Sequence, residues 1–177
     1  MMVSHTTDLA VDFGRKVRNL IATETYQAIF PTVALAIDSK SAGRWNTNSG
    51  GEYYACGIGS SIAGRGADLL LVDDPHSEQD VINGNFEVFE KAYDWFTFGA
   101  RTRLMPGGRV AIIQTRWHMD DLTGRVVRDM TQNERSDQYE VVEFPAILDV
   151  TDKKTGESKQ KPLWPQFFDL EALLRTK

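Results

Sequence analysis

A short aliphatic run that ends in two adjacent carboxylates constrains this chain more than any other stretch. Residues 69–72 are Leu-Leu-Leu-Val, followed by Asp73, Asp74 and Pro75. Four consecutive aliphatic residues predict a short strand buried on both faces, as in a parallel sheet. Because charged side chains are seldom buried without a partner, we expect this strand to deliver both carboxylates to the carboxyl edge of a sheet, where open α/β folds bind ligands. A plain Asp-Asp-Pro turn fits the same residues.

A second aliphatic run follows after a helical pattern. Residues 86–103 place aromatic and small side chains at steps of three and four, which predicts a helix whose aromatic stripe packs into the core. Residues 110–114 then predict a second buried strand that leads into Thr115. A strand–helix–strand unit has parallel strands and a right-handed connection. We therefore expect Gln114 and Thr115 to converge with Asp73 and Asp74 at one edge of the sheet.

A glycine-rich segment before the first run imitates a phosphate-binding loop. Residues 59–66 are Gly-x-x-x-x-Gly-Arg-Gly. Arg65 stands where such a loop has lysine, Gly66 stands where it has a hydroxyl, and the predicted strand begins within about three residues, where a phosphate-binding loop would open a helix. We interpret the segment as a connection, and the chain contains no other candidate for this loop.

The remaining patterns complete an α/β domain. Strands are predicted at residues 3–6, 32–37, 52–56 and 139–144. Helices are predicted from a cap at Thr7 or Asp8 to about residue 22, and at 24–29, 121–130 (capped by Asp120) and 169–175. Residues 38–51 read as a loop or an irregular hairpin that Trp45 anchors to the body, and residues 106–108 are expected to turn the chain after the long helix. Residues 150–161 are predicted to form an exposed loop, after which residues 163–165 re-enter the body.

Composition narrows the classes of protein that remain. A chain of 177 residues with 41% hydrophobic residues can form one domain with a real core. Its net charge of −5 gives no overall basic field for nucleic acid. Cys56 is the single cysteine, which excludes an intrachain disulfide and fits a reducing compartment. No apolar run approaches the length of a membrane span.

The motifs, taken in order, resemble the large terminase subunit of tailed bacteriophages, the ATPase that drives DNA into the prohead. They are Gly-Arg-Gly-Ala-Asp (64–68), Leu-Leu-Leu-Val-Asp-Asp-Pro (69–75), Tyr-Asp-Trp (93–95), Thr-Arg-Leu (102–104), Pro-Gly-Gly (106–108), Ile-Gln-Thr-Arg-Trp-His (113–118), Asp-Asp-Leu-Thr-Gly-Arg (120–125) and Leu-Trp-Pro (163–165). Each motif is weak alone, but together they cover the chain from about Leu9 to Leu174.

The resemblance implies a three-layer α/β fold of the additional-strand P-loop NTPase class, here incomplete. Residues 1–177 would be part of the ATPase domain, with the Walker B strand at 69–74, the coupling strand at 109–115 and the start of a C-terminal subdomain or linker at about 145–177. The segment that carries Walker A would lie upstream of Met1, and an RNase H-like nuclease domain would begin after Lys177.

The same resemblance assigns roles to individual residues. Asp73 would belong to the magnesium site, and Asp74 would take the place of the catalytic glutamate with a side chain one methylene shorter. Gln114 and Thr115 resemble the coupling motif that senses the γ-phosphate of ATP. Arg65 resembles an arginine that some terminases insert into a neighbour's site, although a surface arginine in a glycine loop fits it too.

The implied cofactors are ATP and Mg²⁺. The implied partners are double-stranded DNA, the portal protein and the small terminase subunit, within a ring oligomer in the host cytoplasm and without a membrane. Two other interpretations stay open: a non-catalytic remnant or assembly module, and a metal-dependent hydrolase or nuclease that uses Asp73, Asp74, His118 and Asp120. For His118 and Arg116, pairing with Asp120 or Asp121 is the simpler expectation.

Overall fold

The computed structural model describes residues 1–151 and 156–175, which form two compact units, Met1–Asp137 and Gln138–Lys177. The subdomain or linker start expected at about 145 stays a prediction. The first unit contains the carboxylate pair and both strands of the predicted βαβ unit.

A six-stranded sheet organises the first unit. Its strands are β1 (Met2–Ser4), β2 (Leu35–Lys40), β3 (Arg44–Thr47), β4 (Glu52–Gly57), β5 (Ala67–Asp73) and β6 (Leu104–Ile113). They lie in the order β2-β3-β4-β1-β5-β6. Strand β1 is parallel to β4 and β5, and β5 is parallel to β6, whereas β3 runs antiparallel to both of its neighbours. The expected α/β fold with a mostly parallel sheet is confirmed, as is the parallel pair β5–β6.

Helices flank this sheet. They are α1 (Thr7–Ile21), α2 (Glu24–Ile29), α3 (Glu78–Ile82), α4 (Glu87–Asp94) and α5 (Leu122–Gln132). Helix α4 continues through a wider π-helical stretch, Trp95–Ala100, and a final 3₁₀ turn. Phe89, Phe96 and Ala100 of its stripe are buried as expected, whereas Phe86, which was expected to be core as well, is about half exposed. None of the helices in the described ranges has the length and apolar character that spanning a bilayer requires.

Strand β5 is buried on one face rather than on both. Leu70 and Val72 are completely buried, whereas Leu69 is 51% exposed. Leu71 packs against the hydrophobic cluster on the side of the sheet where α1 lies. The odd-numbered residues of β5 therefore point to that side of the sheet. Helix α1 packs mainly over β4 and β1. The expectation from the aliphatic run was therefore wrong for one face, because coverage depends on where α1 lies and not on the strand's own composition.

Residues 106–108 lie within β6 and do not turn the chain. Ala67 pairs with Leu104, whereas Leu69 already pairs with Arg109. The extra residues of β6 form a bulge in which Gly107 has a positive φ of 80°. A Pro-Gly-Gly sequence fits this place because proline lacks the N–H that a regular ladder needs and glycine accepts the left-handed backbone.

Trp45 anchors its segment to the body, as expected. Its ring is buried, stacks on Tyr53 at 5.0 Å, and donates from Nε1 to the carbonyl oxygen of Gly14 at 3.1 Å. The segment is a hairpin, because β3 lies inside the range 38–51 and pairs with both β2 and β4. The strand predicted at 32–37 begins at Leu35.

The second unit contains a hairpin and a short helix. Strands β7 (Ile147–Thr151) and β8 (Ser158–Pro162) pair antiparallel, and α6 spans Leu170–Arg175. The strand predicted at 139–144 is absent, and most of the predicted loop at 150–161 is hairpin, with residues 152–155 outside the described residues. Trp164 is exposed rather than buried in a body.

Candidate functional site

Strands β5 and β6 end side by side, and the residue after β5 joins them. The backbone N–H of Asp74 donates to the carbonyl oxygen of Ile113 at 2.9 Å. The carbonyl oxygen of Asp74 accepts from the backbone N–H of His5, which follows β1, at 3.1 Å. Three parallel strands therefore meet at Asp74. Asp74 therefore lies at the carboxyl edge of the sheet, as the sequence predicts.

The side chain of Asp74 points along this edge toward Thr115. The backbone N–H of Thr115 donates to Asp74 Oδ1 at 3.3 Å. Asp74 is the one non-glycine residue in the described chain with a positive φ, at 42°. Left-handed backbone is unfavourable for residues with a Cβ, and such strain concentrates at functional positions.

This backbone strain gives a stability prediction. Asp74→Gly and Asp74→Ala both remove the carboxylate, but only alanine keeps a Cβ at φ 42°. We expect the glycine variant to be the more stable by about 0.5 to 1 kcal/mol, measured by urea unfolding, because the left-handed cost exceeds the entropy that glycine adds to the unfolded chain.

Asp68 offers a matched control near the other end of β5. There the backbone is extended, so Asp68→Ala should be more stable than Asp68→Gly. If alanine were the better residue at both positions, Asp74 would not be strained.

Asp73 lies beside Asp74, and its carboxyl group is partly enclosed. Burial, and secondarily the charge of Asp74, raises the pKa of the Asp73 carboxyl above its usual range. A cation near both carboxylates would reverse this effect. Mg²⁺ is commonly held by one or two carboxylates together with waters and substrate phosphates, so two adjacent carboxylates are donors of the kind that this ion takes. In the described residues, no group of three or more His, Cys, Asp or Glu side chains could hold a metal ion by itself.

A cleft of about 340 Å³ opens beside Asp74. Its walls come from three places: the start of α1, the loop after β5 with the start of α3, and the loop after β6. The lining residues are His5, Leu9, Asp74, His76, Ser77, Glu78, Gln79, Thr115 and Trp117. Of the residues proposed from the sequence, Asp74 and Thr115 line this cleft, whereas Asp73 and Gln114 do not.

Two histidines of the cleft were missed by the sequence analysis. His5 directly follows β1, and its place at the shared edge depends on β1 being the neighbour of β5. His76 comes two residues after Asp74 and is buried. Burial lowers the pKa of the His76 imidazole and outweighs the charges of Asp121 and Asp80, which raise it, so that the ring is neutral near pH 7. A histidine two residues after the carboxylate pair was the available signal.

The loop after β6 is held by the first turn of α5. Asp121, which is completely buried, caps this helix by accepting from the Gly124 N–H at 2.8 Å. Its other oxygen accepts from Arg116 Nε at 2.9 Å and from the backbone N–H groups of Trp117 and His118. The expected pairing of Arg116 with a capping aspartate is confirmed. The cap itself is Asp121 rather than Asp120.

Gln114 points away from this cleft. The side-chain amide of Gln114 is enclosed and has no hydrogen-bond partner among the described residues. The structure thus brings Thr115, but not the Gln114 side chain, to the cleft.

Arg65 lies at the opposite edge of the sheet from Asp74. It precedes β5, and its guanidinium pairs with Glu52 at 3.5 Å and covers the ring of Tyr54 at 4.4 Å. Seven residues of β5 at about 3.3 Å each separate this position from Asp73, roughly 20 Å. Arg65 therefore cannot reach the cleft of its own chain.

The residues of the hydrolase interpretation are engaged elsewhere. Asp120 pairs with Arg128 at 2.6 Å, and this hydrogen bond holds the pKa of the Asp120 carboxyl below its usual range. The His118 ring stacks on Phe89 at 5.3 Å, and its Nδ1 accepts from the backbone N–H of Asp120. No observation favours a two-metal site that joins these two residues to Asp73 and Asp74.

The fold and the site together define an α/β protein with a mostly parallel sheet, compatible with a Rossmann-like fold, that carries an acidic pair and a threonine at its carboxyl edge. No protein-family model matches the chain, and no curated protein sequence matches it either.

Proposed function

We propose that this chain is part of the ATP-hydrolysing motor of a phage large terminase, which moves double-stranded DNA into a prohead. The observation that carries the proposal is the contact between Asp74 and Thr115 at the ends of two adjacent parallel strands. In P-loop NTPases, the acidic residues after one strand hold the magnesium shell and orient the attacking water, close to the terminal phosphate. A neighbouring threonine at that position can sense the same phosphate.

Each residue then has a defined task. Asp73 would hold Mg²⁺ through its shell, and bound Mg²⁺ would neutralise charge on the phosphates of ATP. Asp74 would orient the attacking water, and its position is set by backbone bonds to β1 and β6. Arg65 would act only in the site of a neighbouring subunit, within a ring. An arginine supplied in this way is worth about 10³ to 10⁵ in rate in related NTPases.

The sheet offers a place for the Walker A segment that the chain lacks. Among the described residues, β6 pairs with β5 alone. Leu69 and Ile113, on β5 and β6, are both more than half exposed. A further strand beside β6, followed by a helix, would cover these side chains and bring a phosphate-binding loop to the edge that carries Asp74. We propose in addition that the intact motor binds the portal protein and the small terminase subunit, and that it works in the host cytoplasm.

The test joins the chain to the missing motif. The 177-residue chain alone should show negligible ATP turnover, since the loop and its lysine supply most phosphate contacts. The chain is then fused to a preceding segment from a complete large terminase, which supplies a strand, a G-x-x-x-x-G-K-[ST] loop and a helix. This fusion should gain magnesium-dependent ATP turnover. Asp74→Ala should then lower this turnover by at least about 100-fold, and Asp73→Ala should lower it too.

Asp68→Ala is the matched control, because it is the same substitution at the other end of the same strand. Its turnover should stay close to that of the unsubstituted fusion. Turnover that survives the loss of Asp73 and Asp74, or vigorous turnover by the chain alone, would contradict the proposal. A fusion that folds, binds intact terminase and never hydrolyses ATP would favour an assembly module.

A further inference from the structure

Both loop walls of the cleft are attached to one helix end. The wall formed by residues 76–79 follows β5, and the wall formed by Thr115 and Trp117 follows β6. Helix α5 begins at Leu122, five residues after Trp117, and Asp121 is its N-cap. Bonds from both walls reach this helix end: one through the His76 side chain, the others through the Asp121 carboxylate.

His76 supplies the bond from the first wall. Its Nε2 accepts from the backbone N–H of Leu122 at 3.0 Å, across 46 positions in sequence. This N–H belongs to the first residue of α5 and has no partner within the helix. The ring of His76 meets Phe89 edge to face at 4.7 Å, which fixes its orientation. Both His76 and Leu122 are buried, so the bond is shielded from water.

Asp121 supplies the bonds from the second wall. It accepts from the N–H groups of Trp117 and His118 and from Arg116, while also capping the helix. The direct contact between the walls is weaker, since the Thr115 N–H lies 3.3 Å from Asp74 Oδ1. This distance is slightly longer than the usual range for N–H···O hydrogen bonds.

We propose that His76 is a positioning residue of this site, which fastens the loop after β5 to the same end of α5 that Asp121 fastens to the loop after β6. The strand pairing places Asp74 beside the end of β6, and the first turn of α5 then holds the two loops that continue from these strands around the cleft. The inference depends on the proposed function in treating this cleft as the working site. Its test uses no nucleotide, so either idea can fail without the other.

The test compares two replacements of His76 in the full chain. His76→Phe keeps a flat ring against Phe89 but removes the acceptor, whereas His76→Gln places an amide oxygen near the position of Nε2. Amide hydrogen exchange, followed by NMR, reports on Leu122, Thr115 and, as an internal control, Ala55, whose N–H bonds to Gly43 on the far side of the sheet.

We expect His76→Phe to speed exchange at Leu122 and at Thr115 by about tenfold, with Ala55 unchanged, and His76→Gln to restore most of the protection. Faster exchange at Leu122 with Thr115 unchanged would mean that His76 only caps the helix, and would overturn the proposal. Equal acceleration at all three amides would show a loss of global stability and would also overturn it. If His76→Phe does not fold, His76→Leu, which also removes the acceptor, is measured in its place and is expected to give the same selective acceleration at Leu122 and Thr115.

Discussion

Gly124→Ala is expected to lower the free energy of unfolding by about 3 kcal/mol or more. A Cβ on Gly124 would lie 2.1 Å from the carbonyl oxygen of Met119 and 2.7 Å from Arg116 Nη2. The arginine could move, but the carbonyl belongs to the backbone that approaches Asp121. Relief would therefore require shifting the turn that Asp121 holds, and with it the wall of the cleft that carries Thr115.

Gly99→Ala is the matched control. A Cβ there would meet nothing closer than 3.7 Å, on the side chain of Trp95. Because Gly99 lies in the helical stretch that continues α4, alanine should raise stability by up to about 1 kcal/mol through a smaller loss of backbone entropy. Urea unfolding of both variants checks the pair. If Gly124→Ala unfolds at the same urea concentration as the wild type, the first turn of α5 is looser than this geometry requires.

Asp121→Ala is expected to lower the free energy of unfolding by roughly 3 kcal/mol. The substitution removes a helix cap and leaves the N–H groups of Trp117, His118 and Gly124 without their acceptor at a completely buried position. Asp121→Asn should cost less, since its amide oxygen can still accept from Gly124, although the charge that faces Arg116 is lost.

The pH dependence of Asp121 has a defined sign. Burial works to raise the pKa of its carboxyl, but hydrogen bonds from Gly124 and Arg116 outweigh burial, and the pKa lies below its usual range. A carboxyl group whose pKa is lower in the folded state stabilises the fold at pH values above its unfolded-state pKa, about 3.9. This stabilisation is lost as the pH falls through the folded-state pKa. The stability difference between wild type and Asp121→Asn should therefore be constant near neutral pH and shrink below about pH 4.

Unfolding curves at several pH values for the two proteins check this. All other carboxylates are common to both, so their contributions cancel in the difference. For these curves both proteins carry His76→Gln, because the Asp121 charge raises the pKa of the His76 imidazole and would otherwise add a second pH-dependent difference. A difference that grows in acid would show that Asp121 is not held as a hydrogen-bonded carboxylate.

Most of the secondary structure could be predicted because it depends on local patterns. Helix α1 begins after Thr6, whose hydroxyl accepts from the Leu9 N–H, one residue before the expected cap at Thr7 or Asp8, and α2 begins after Thr23, whose hydroxyl accepts from Tyr26. The errors fall where partners distant in sequence decide the outcome. Residues 106–108 look like a turn, yet they form a bulge because Leu69 pairs with Arg109.

The amino-acid sequence by itself determined that an acidic pair and a threonine share one edge of a sheet. Two aliphatic runs joined by a helix form adjacent parallel strands, and the residues after such strands meet whatever the surrounding structure is. Only the tertiary structure decided that His5 and His76 complete the cleft, that Arg65 pairs with Glu52 at the far edge, and that α1 leaves Leu69 exposed. These features depend on contacts between residues far apart in the chain, which no local pattern encodes, because burial and hydrogen bonding are settled by which elements pack together.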